Sequence, residues 1–595
     1  MKLSDYVAEF LVGQGIKHVF VVTGGASAHL IDSIGQTAGI EYICNQHEQA
    51  CAMSADAYAR VNRNLGVVMV TSGPGATNLL TGVCCSYYDS VPLLCLTGQV
   101  STFRLKKDTG VRQVGFQETD VIDIFRSVTK YCVQLQDPLD IRYELEKALW
   151  MAKSGRPGPV LIDIPDNLQR AQVEPEKLKG FVPSFKDSLP AVKDNLLEEC
   201  VRLMNEAKRP VLAFGWGVHL SQAEEEAKEF IDRLGFPVVL TWAMRHLIPE
   251  DHPQAVGSFG THGTRYGNFT VQNADLVIVI GTRLDTKGAG SPLVSFARGA
   301  KKIIVEIDQA ELKKFSVFGE GSSILIQADA KDFLQKIKSH LPQLQLQDIS
   351  AWKNQVALWK KSYPICPGGN YKQKTVNPYV FVKALSKATP DGVTMFLDTG
   401  CAVGWMGQAF EFKKDQKFYS AFNNTPMGYG LPAAIGASFA LNKKMVVCIS
   451  GDGGLQMNIQ ELATVVRHQL PIKIILLNNH GYSMIQQTQQ QWLGARYHAS
   501  SVSGGLAFPD FVKVARAYGF KTLSIAKNEE LVTKLRKVFT LPGPVFCNVE
   551  IPARHGMIPQ VKFGRPIEDS EPLLDRKEFL HNMIVPAMDV SSSSK

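Results

Sequence analysis

Two short apolar runs, Met445–Ile449 and Ile472–Leu477, are separated by Gly451-Asp452-Gly453-Gly454 and a segment in which Met457, Leu462 and Val465 recur near a helical period. The order predicts strand, glycine loop, helix, strand. Polar residues stand at the carboxyl end of each strand: Asp452 after the first, Asn478 and Asn479 after the second. No other feature narrows the fold as far. It predicts an α/β sheet with ligands gathered at the strand ends and phosphate welcome at the helix N-terminus.

Asp452 and Asn479 bring a carboxylate and an amide oxygen, the hard donors that suit Mg²⁺ when ligand phosphates complete its shell. The glycines let backbone approach a diphosphate closely. Taken alone, Gly-Asp-Gly reads more readily as a tight turn with a capping Asp. Spacing separates the two readings, because twenty-four residues lie between Gly453 and Asn478-Asn479. This resembles the thiamine diphosphate (ThDP) signature. The resemblance implies Mg²⁺ held by Asp452, Asn479 and the carbonyl of Gly481, with Gly453 and Gly454 at the diphosphate.

A chain of 595 residues has room for several domains. The net charge of +8 is spread without a basic block, so no nucleic-acid partner is expected. The segment Met1–Phe20 suits an amphipathic helix rather than a secretory leader, and no apolar run is long enough to span a bilayer. Eleven scattered cysteines, none in a CxxC pair, point to reduced thiols and a cytoplasmic setting.

Further apolar strands are predicted at His18–Val22, Val67–Val70, Leu93–Leu96, Val160–Ile164, Val211–Phe214, Val277–Ile280 and Ile303–Ile307. With helical stretches between them, they imply parallel, doubly covered sheets. Polar, proline-containing stretches at Pro165–Pro190 and Leu341–Asn377 read as linkers. The units are then 1–165, 191–340 and 378–555, with a tail over 556–595 that ends in Ser591–Ser594. The similar sizes of the first and third suggest a duplicated architecture. Gly215-Trp216-Gly217 fits a nucleotide turn or a plain one.

Glu48 precedes the small-residue stretch Met53–Arg60 and is expected at the start of a packed helix, where a carboxylate also stabilises the N-terminus. Around it the chain resembles the acetolactate synthase branch of ThDP enzymes over about residues 1–555. The most specific stretches are Gly73–Asn78, Asp89–Pro92 with Gly98–Val100, Phe116–Asp120, Gly155–Val160, Gly428–Ala434 and Gly451–Ala463. The resemblance implies three doubly wound α/β domains: pyrimidine-binding, central and diphosphate-binding. It implies an active site shared between two subunits, hence a homodimer or homotetramer, with a regulatory subunit possible in principle. It assigns Glu48 to the cofactor's aminopyrimidine, with burial keeping its proton available near neutral pH. Phe116 and Gln117 are assigned to the reaction pocket, and Met427 props the bent cofactor or, read alone, fills core. Gly25, Pro74, Asn78, Gly400, Cys401, Ala402 and Gly428 fall among the cofactor contacts. FAD is implied in the central unit, at Arg283, Asp285, Glu306 and Asp329; an Arg283–Asp285 surface pair is the plainer alternative.

Three positions depart from the family pattern. Cys401-Ala402 replaces a Gln-His pair, Thr488 replaces a tryptophan, and Lys287 replaces an arginine that grips an acceptor carboxylate. The donor half of the reaction is intact in sequence. The expected activity is decarboxylation of pyruvate or a close 2-keto acid and transfer of the acyl unit to a second carbonyl. The default product is acetolactate. A keto-sugar or other carbonyl acceptor and an inactive regulatory relative are the competing readings.

Overall fold

The computed structural model describes residues 1–183, 189–319 and 321–592. Three six-stranded sheets, every pairing parallel, account for the body of the chain. The first holds β1 (His18–Val22), β2 (Glu41–Cys44), β3 (Gly66–Val70), β4 (Leu93–Gln99), β5 (Tyr131–Gln134) and β6 (Pro159–Pro165). The second holds β7 (Pro210–Phe214), β8 (Val238–Leu240), β9 (Ala255–Ser258), β10 (Leu276–Ile280), β11 (Lys301–Glu306) and β12 (Ser323–Gln327). The third holds β13 (Thr394–Leu397), β14 (Lys417–Tyr419), β15 (Val446–Gly451), β16 (Ile472–Asn478), β17 (Lys521–Ile525) and β18 (Val545–Glu550). Central strands such as β10, sequence LVIVI, are buried along their whole length, as a sheet covered on both faces requires.

Strand order gives the duplication a topological form. The first sheet runs β2-β1-β3-β4-β6-β5 and the third β14-β13-β15-β16-β18-β17, the same order counted from each first strand. The middle sheet runs β12-β11-β10-β7-β8-β9, the dinucleotide-fold order. The order in which strands are added reverses between β1 and β3, between β13 and β15, and between β7 and β10. These are the points at which open α/β sheets bind ligands.

The two outer sheets meet through the helix Glu48–Asn62 and the helix Gly430–Ala440, both built largely of small residues. A Cβ on Gly436 would lie 1.9 Å from the Ser54 carbonyl oxygen, so the helices cross with backbones nearly touching. Beside the crossing, buried Arg60 donates to Asp56 (2.5 Å), to Asp89 (2.8 Å) and to the Ser420 carbonyl (3.0 Å), while Tyr429 Oη donates to Asp56 (2.7 Å). Burial alone would lower the Arg60 pKa, but Asp56, Tyr429 and Asp89 hold it well above the usual value.

Several sequence expectations need correction. Gly451–Gly454 is not a loop: Gly451 ends β15 and Asp452 begins the helix Asp452–Met457. That helix stops at Asn458, whose Nδ2 donates to the Gly428 carbonyl (2.8 Å), and helical backbone resumes at Leu462–Arg467. Met457 is consequently exposed while Leu462 and Val465 are buried. The stretch Leu341–Asn377 carries the helix Ser350–Ser362, whose Trp352, Val356 and Trp359 sit in the central core. Pro165–Pro190 contains the helix Asp166–Gln169; its residues 184–188 lie outside the described residues. Most of the tail also packs on the central unit: Val561, Ile567 and Phe579 join its core, and Asn268 Nδ2 donates to the Ile567 carbonyl (2.8 Å). Ser593 and Ser594 lie outside the described residues.

Candidate active site

At the carboxyl ends of β15 and β16, beside the β13/β15 switch point, the sequence-predicted metal ligands converge. Asp452 Oδ2 accepts from the backbone N–H groups of Asn479 and Gly481, both at 3.1 Å, and Oδ1 accepts from Gly453 N–H at 2.6 Å. Asn479 Nδ2 donates to the Gly481 carbonyl at 2.9 Å. Carboxylate, side-chain amide and carbonyl thus face one another, and half a turn of the amide presents three oxygens. This donor set, free of thiolate and imidazole, fits a hard divalent cation that shares its shell with a diphosphate. Among the described residues no cluster of three His, Cys, Asp or Glu offers another metal site. Burial raises the Asp452 pKa against those backbone donors, and a divalent cation would keep the group ionised.

The loop around these residues is tightly fitted. A Cβ at Gly453 would meet Tyr482 Cε1 at 2.2 Å and Met427 Cε at 2.7 Å. Met427 is only half-buried and lies against this glycine rather than inside the core. Gly400, at φ +82°, turns the chain from β13 into the helix Cys401–Ala409. Cys401 and Ala402 are buried among apolar neighbours, and burial pushes the Cys401 thiol up to about 12. Their side chains offer an anion nothing; only the backbone N–H groups of that first turn are suited to it.

Asp398 organises this end and escaped the sequence reading. Its carboxylate accepts from the N–H groups of Thr399 (2.8 Å), Gly428 (3.0 Å) and Gly430 (3.3 Å) and from Ser450 Oγ (3.0 Å). Burial, opposed by these donors, still pushes its pKa up to about 6. Its position two residues before Gly400 is plain in the sequence, but its reach to Gly428 and Ser450 is not.

The second cluster lies at the β1/β3 switch point. Glu48 is the first residue of its helix, and Asn78 Nδ2 donates to its Oε2 at 3.0 Å. Gly25 follows β1 and lies exposed, while Pro74 opens the short helix Pro74–Asn78 after β3. Gln117 adopts φ +63° and its carbonyl rides over Gly73, where a Cβ would approach to 2.9 Å. Glu118 holds the neighbouring loop by accepting from the N–H groups of Lys106, Val114 and Gly115. Phe116 is 85% exposed, so within this chain it is no ordinary buried aromatic. Glu48 itself is half-buried, which falls short of the burial expected for it. Among the described residues no hydrogen bond or ion pair joins this cluster to Asp452, Asn479 or Gly481.

Buried Glu461 pins the backbone that leads into Glu48. Its carboxylate accepts from Asn45 Nδ2 (2.9 Å), Gln46 N–H (2.7 Å) and Thr464 Oγ1 (2.9 Å).

A cavity of about 260 Å³ opens at the β7/β10 switch point and reaches both outer units. Arg283, Asp285, Glu306 and Asp329 all line it. Asp285 and Asp329 also cap helices, accepting from Lys287 and Gly288 N–H and from Lys331 and Asp332 N–H. Burial raises the pKa of Glu306 and of Asp329. Arg283 leans mainly on Asn423 Oδ1 (2.5 Å), and its contact with Asp285 is long at 3.5 Å. A Cβ at Gly217 would lie 2.7 Å from Gly281 Cα, so only glycine lets these strand ends approach. Thr241 Oγ1 and Trp242 Nε1 line the cavity, buried and without partners. His262 is pushed down to about 3 by burial and then by Lys287. It is a neutral imidazole: Nε2 accepts from Gln560 Nε2 (3.2 Å), which leaves Nδ1–H to donate to Thr261 Oγ1 (3.1 Å).

Comparison with known proteins bears on the same three units. Residues 1–124, 197–337 and 398–549 match the N-terminal TPP binding domain, the central domain and the C-terminal TPP binding domain of thiamine pyrophosphate enzymes. The chain is 34% identical over 568 residues to the acetolactate synthase large subunit of Pyropia yezoensis, covering 93% of this chain and 92% of that protein. It is 33% identical over 580 residues to the chloroplastic acetolactate synthase 2 of Nicotiana tabacum, with 96% and 85% covered. Against the acetolactate synthase isozyme 1 large subunit of Escherichia coli K12 it is 33% identical over 564 residues, with 94% and 96% covered. With fold order, strand-end chemistry and near full-length similarity in agreement, the chain belongs to the acetolactate synthase family of thiamine pyrophosphate enzymes.

Proposed function

We propose that this protein is a ThDP- and Mg²⁺-dependent carboligase that takes pyruvate as donor and forms acetolactate from a second pyruvate. The observation that carries the reading is the convergence of Asp452, Asn479 and Gly481 on one point at the end of β15 and β16. These three would hold Mg²⁺ and, through it, the cofactor's diphosphate. The bound cofactor supplies a carbon nucleophile and an electron sink for decarboxylation. Met427 and Gly453 shape the floor of the cleft, and Asn78 orients the Glu48 carboxyl through Oε2. Oε1 is the atom at which Glu48 exchanges a proton with the cofactor's pyrimidine ring.

Glu48 and the metal residues come together across a homodimer in this proposal. The partner's surface supplies the burial that one chain does not, and covers Phe116 with it. A homotetramer is compatible, and the large-subunit relatives make a regulatory subunit a reasonable partner. We assign FAD to the 260 Å³ cavity. The glycine contact at the switch point and the unpartnered Thr241 and Trp242 atoms support a polar, flat ligand there. The division into units 1–165, 191–340 and 378–555 belongs to the same proposal. No helix among the described residues is long and apolar enough to cross a membrane, and the eleven cysteines are free, which fits a reducing, cytoplasmic compartment.

Incubation of the purified protein with pyruvate, ThDP and Mg²⁺ is expected to yield CO₂ and acetolactate. Glu48→Gln should lower kcat about 10²–10⁴-fold while ThDP still binds, and Asp452→Ala should abolish Mg²⁺-dependent ThDP binding. Wild-type turnover without added or co-purified ThDP would overturn the proposal. Denaturation should release a flavin, identified by its absorbance.

A further inference from the structure

A separate cavity, of about 580 Å³, lies in the third unit, where the helix Pro378–Ala388 packs on the helix Leu531–Thr540. It shares no residue with the metal loop or with the 260 Å³ cavity. Five lysines line it, Lys372, Lys374, Lys383, Lys387 and Lys527, against one carboxylate, Glu529. That surplus of four on one wall is half of the chain's net charge of +8, so the cavity is a local concentration of positive charge.

Little in the chain balances it. Lys383 meets Glu411 at 2.7 Å and Lys527 meets Glu529 only at 3.7 Å. Among the described residues no ion pair includes Lys372, Lys374 or Lys387. Lys383 and Lys387 also stand four residues apart on one helix, where like charges repel.

The walls are held by other groups. Asn528 Nδ2 donates to the carbonyls of Asn370 (3.2 Å) and Gln373 (2.9 Å), and its Oδ1 accepts from Asn377 N–H (3.0 Å). Thr375 and Lys527 add an antiparallel backbone bridge. None of these bonds uses a lysine side chain, so what the lysines bring to the cavity is charge. Carbon surface completes it: Val380 and Leu531 are buried at its floor, while Tyr371 and Val532 are half-exposed beside it. The Tyr371 hydroxyl is tied to Cys366, which fixes the ring.

The wall has no arginine, whose planar fork suits a carboxylate. Lysine ammonium groups are compact point charges that suit phosphate. A single carboxylate would leave most of the surplus unmet, whereas a polyphosphate meets several lysines at once. We propose that this cavity binds an organic polyphosphate of the nucleoside triphosphate class, its phosphates among the lysines and its ring against Tyr371 and Val532. The site stands apart from the carboligase reading, and its failure would leave that reading untouched.

The test is calorimetric titration of holoenzyme saturated with ThDP, Mg²⁺ and FAD, so that nucleotides cannot enter those sites. The probes are ATP, tripolyphosphate and adenosine. ATP is expected to bind more tightly than tripolyphosphate, adenosine not detectably, and the affinity for ATP should fall as salt rises. Lys374→Glu combined with Lys387→Glu should raise the Kd of both phosphates about tenfold or more. Tyr371→Ala should weaken ATP about fivefold and leave tripolyphosphate unchanged. Melting curves serve as folding controls; if the double variant melts early, Lys372→Gln, at an exposed position, is read in its place and should raise both Kd values about threefold. No binding of ATP at millimolar concentration, an affinity that the lysine variants leave unchanged, tripolyphosphate binding as tightly as ATP, or adenosine binding as tightly as ATP overturns the proposal.

Discussion

Asp163 shows what burial does to a single carboxylate in this fold. It accepts from Thr97 Oγ1 (2.6 Å), Gln99 Nε2 (3.0 Å) and Gln134 Nε2 (3.0 Å), yet burial still pushes its pKa up to about 6 from the ordinary 3.8. The folded state therefore binds this proton more tightly than the unfolded chain. The stability it contributes is full below about pH 3.8 and is lost as pH rises through about 6. Asp163→Asn lacks the titration, so in chemical denaturation the wild type should lose ground to the variant by about 2 kcal/mol between pH 4 and pH 7. A gap independent of pH would refute this. At this scale the convergence of Asp452, Asn479 and Gly481 was readable in advance, because local spacing carries them to neighbouring strand ends. Asp398 and Glu461 were not, because their partners are distant in sequence: Ser450 for one, Asn45 and Gln46 for the other.

Among elements, many buried strands were legible from their apolar runs. Some of those missed have exposed positions, as in β2 with Glu41, Tyr42 and Cys44 outward, or β5 and β17 at sheet edges, where no apolar run forms; β8, β13 and β18 were missed although they are buried. The break at Asn458 was invisible because its cause is a side chain reaching Gly428. The seam between the helices Glu48–Asn62 and Gly430–Ala440 depends on Arg60 balancing Asp56 and Asp89. Arg60→Leu leaves two buried carboxylates uncompensated and should cost about 3–5 kcal/mol, measured by denaturant unfolding. A loss under 1 kcal/mol would show that the pair is neutralised some other way. The same variant should loosen the carboxyl end of the helix Glu48–Asn62, visible as faster hydrogen exchange there.

For the whole molecule the decisive question is how the two switch-point clusters meet. If Glu48 of one subunit serves Asp452 of another, Glu48→Gln and Asp452→Ala chains refolded together should regain about a quarter of wild-type activity. Half of the random dimers are mixed, and each mixed dimer carries one intact site. No recovery would place both clusters of a working site in one chain. Finally, the last forty or so residues deliver Ile567 and Phe579 to the central core and Gln560 to His262. Proteolytic removal of that segment would therefore strip apolar cover from the central core and take from His262, at the cavity wall, its Gln560 partner.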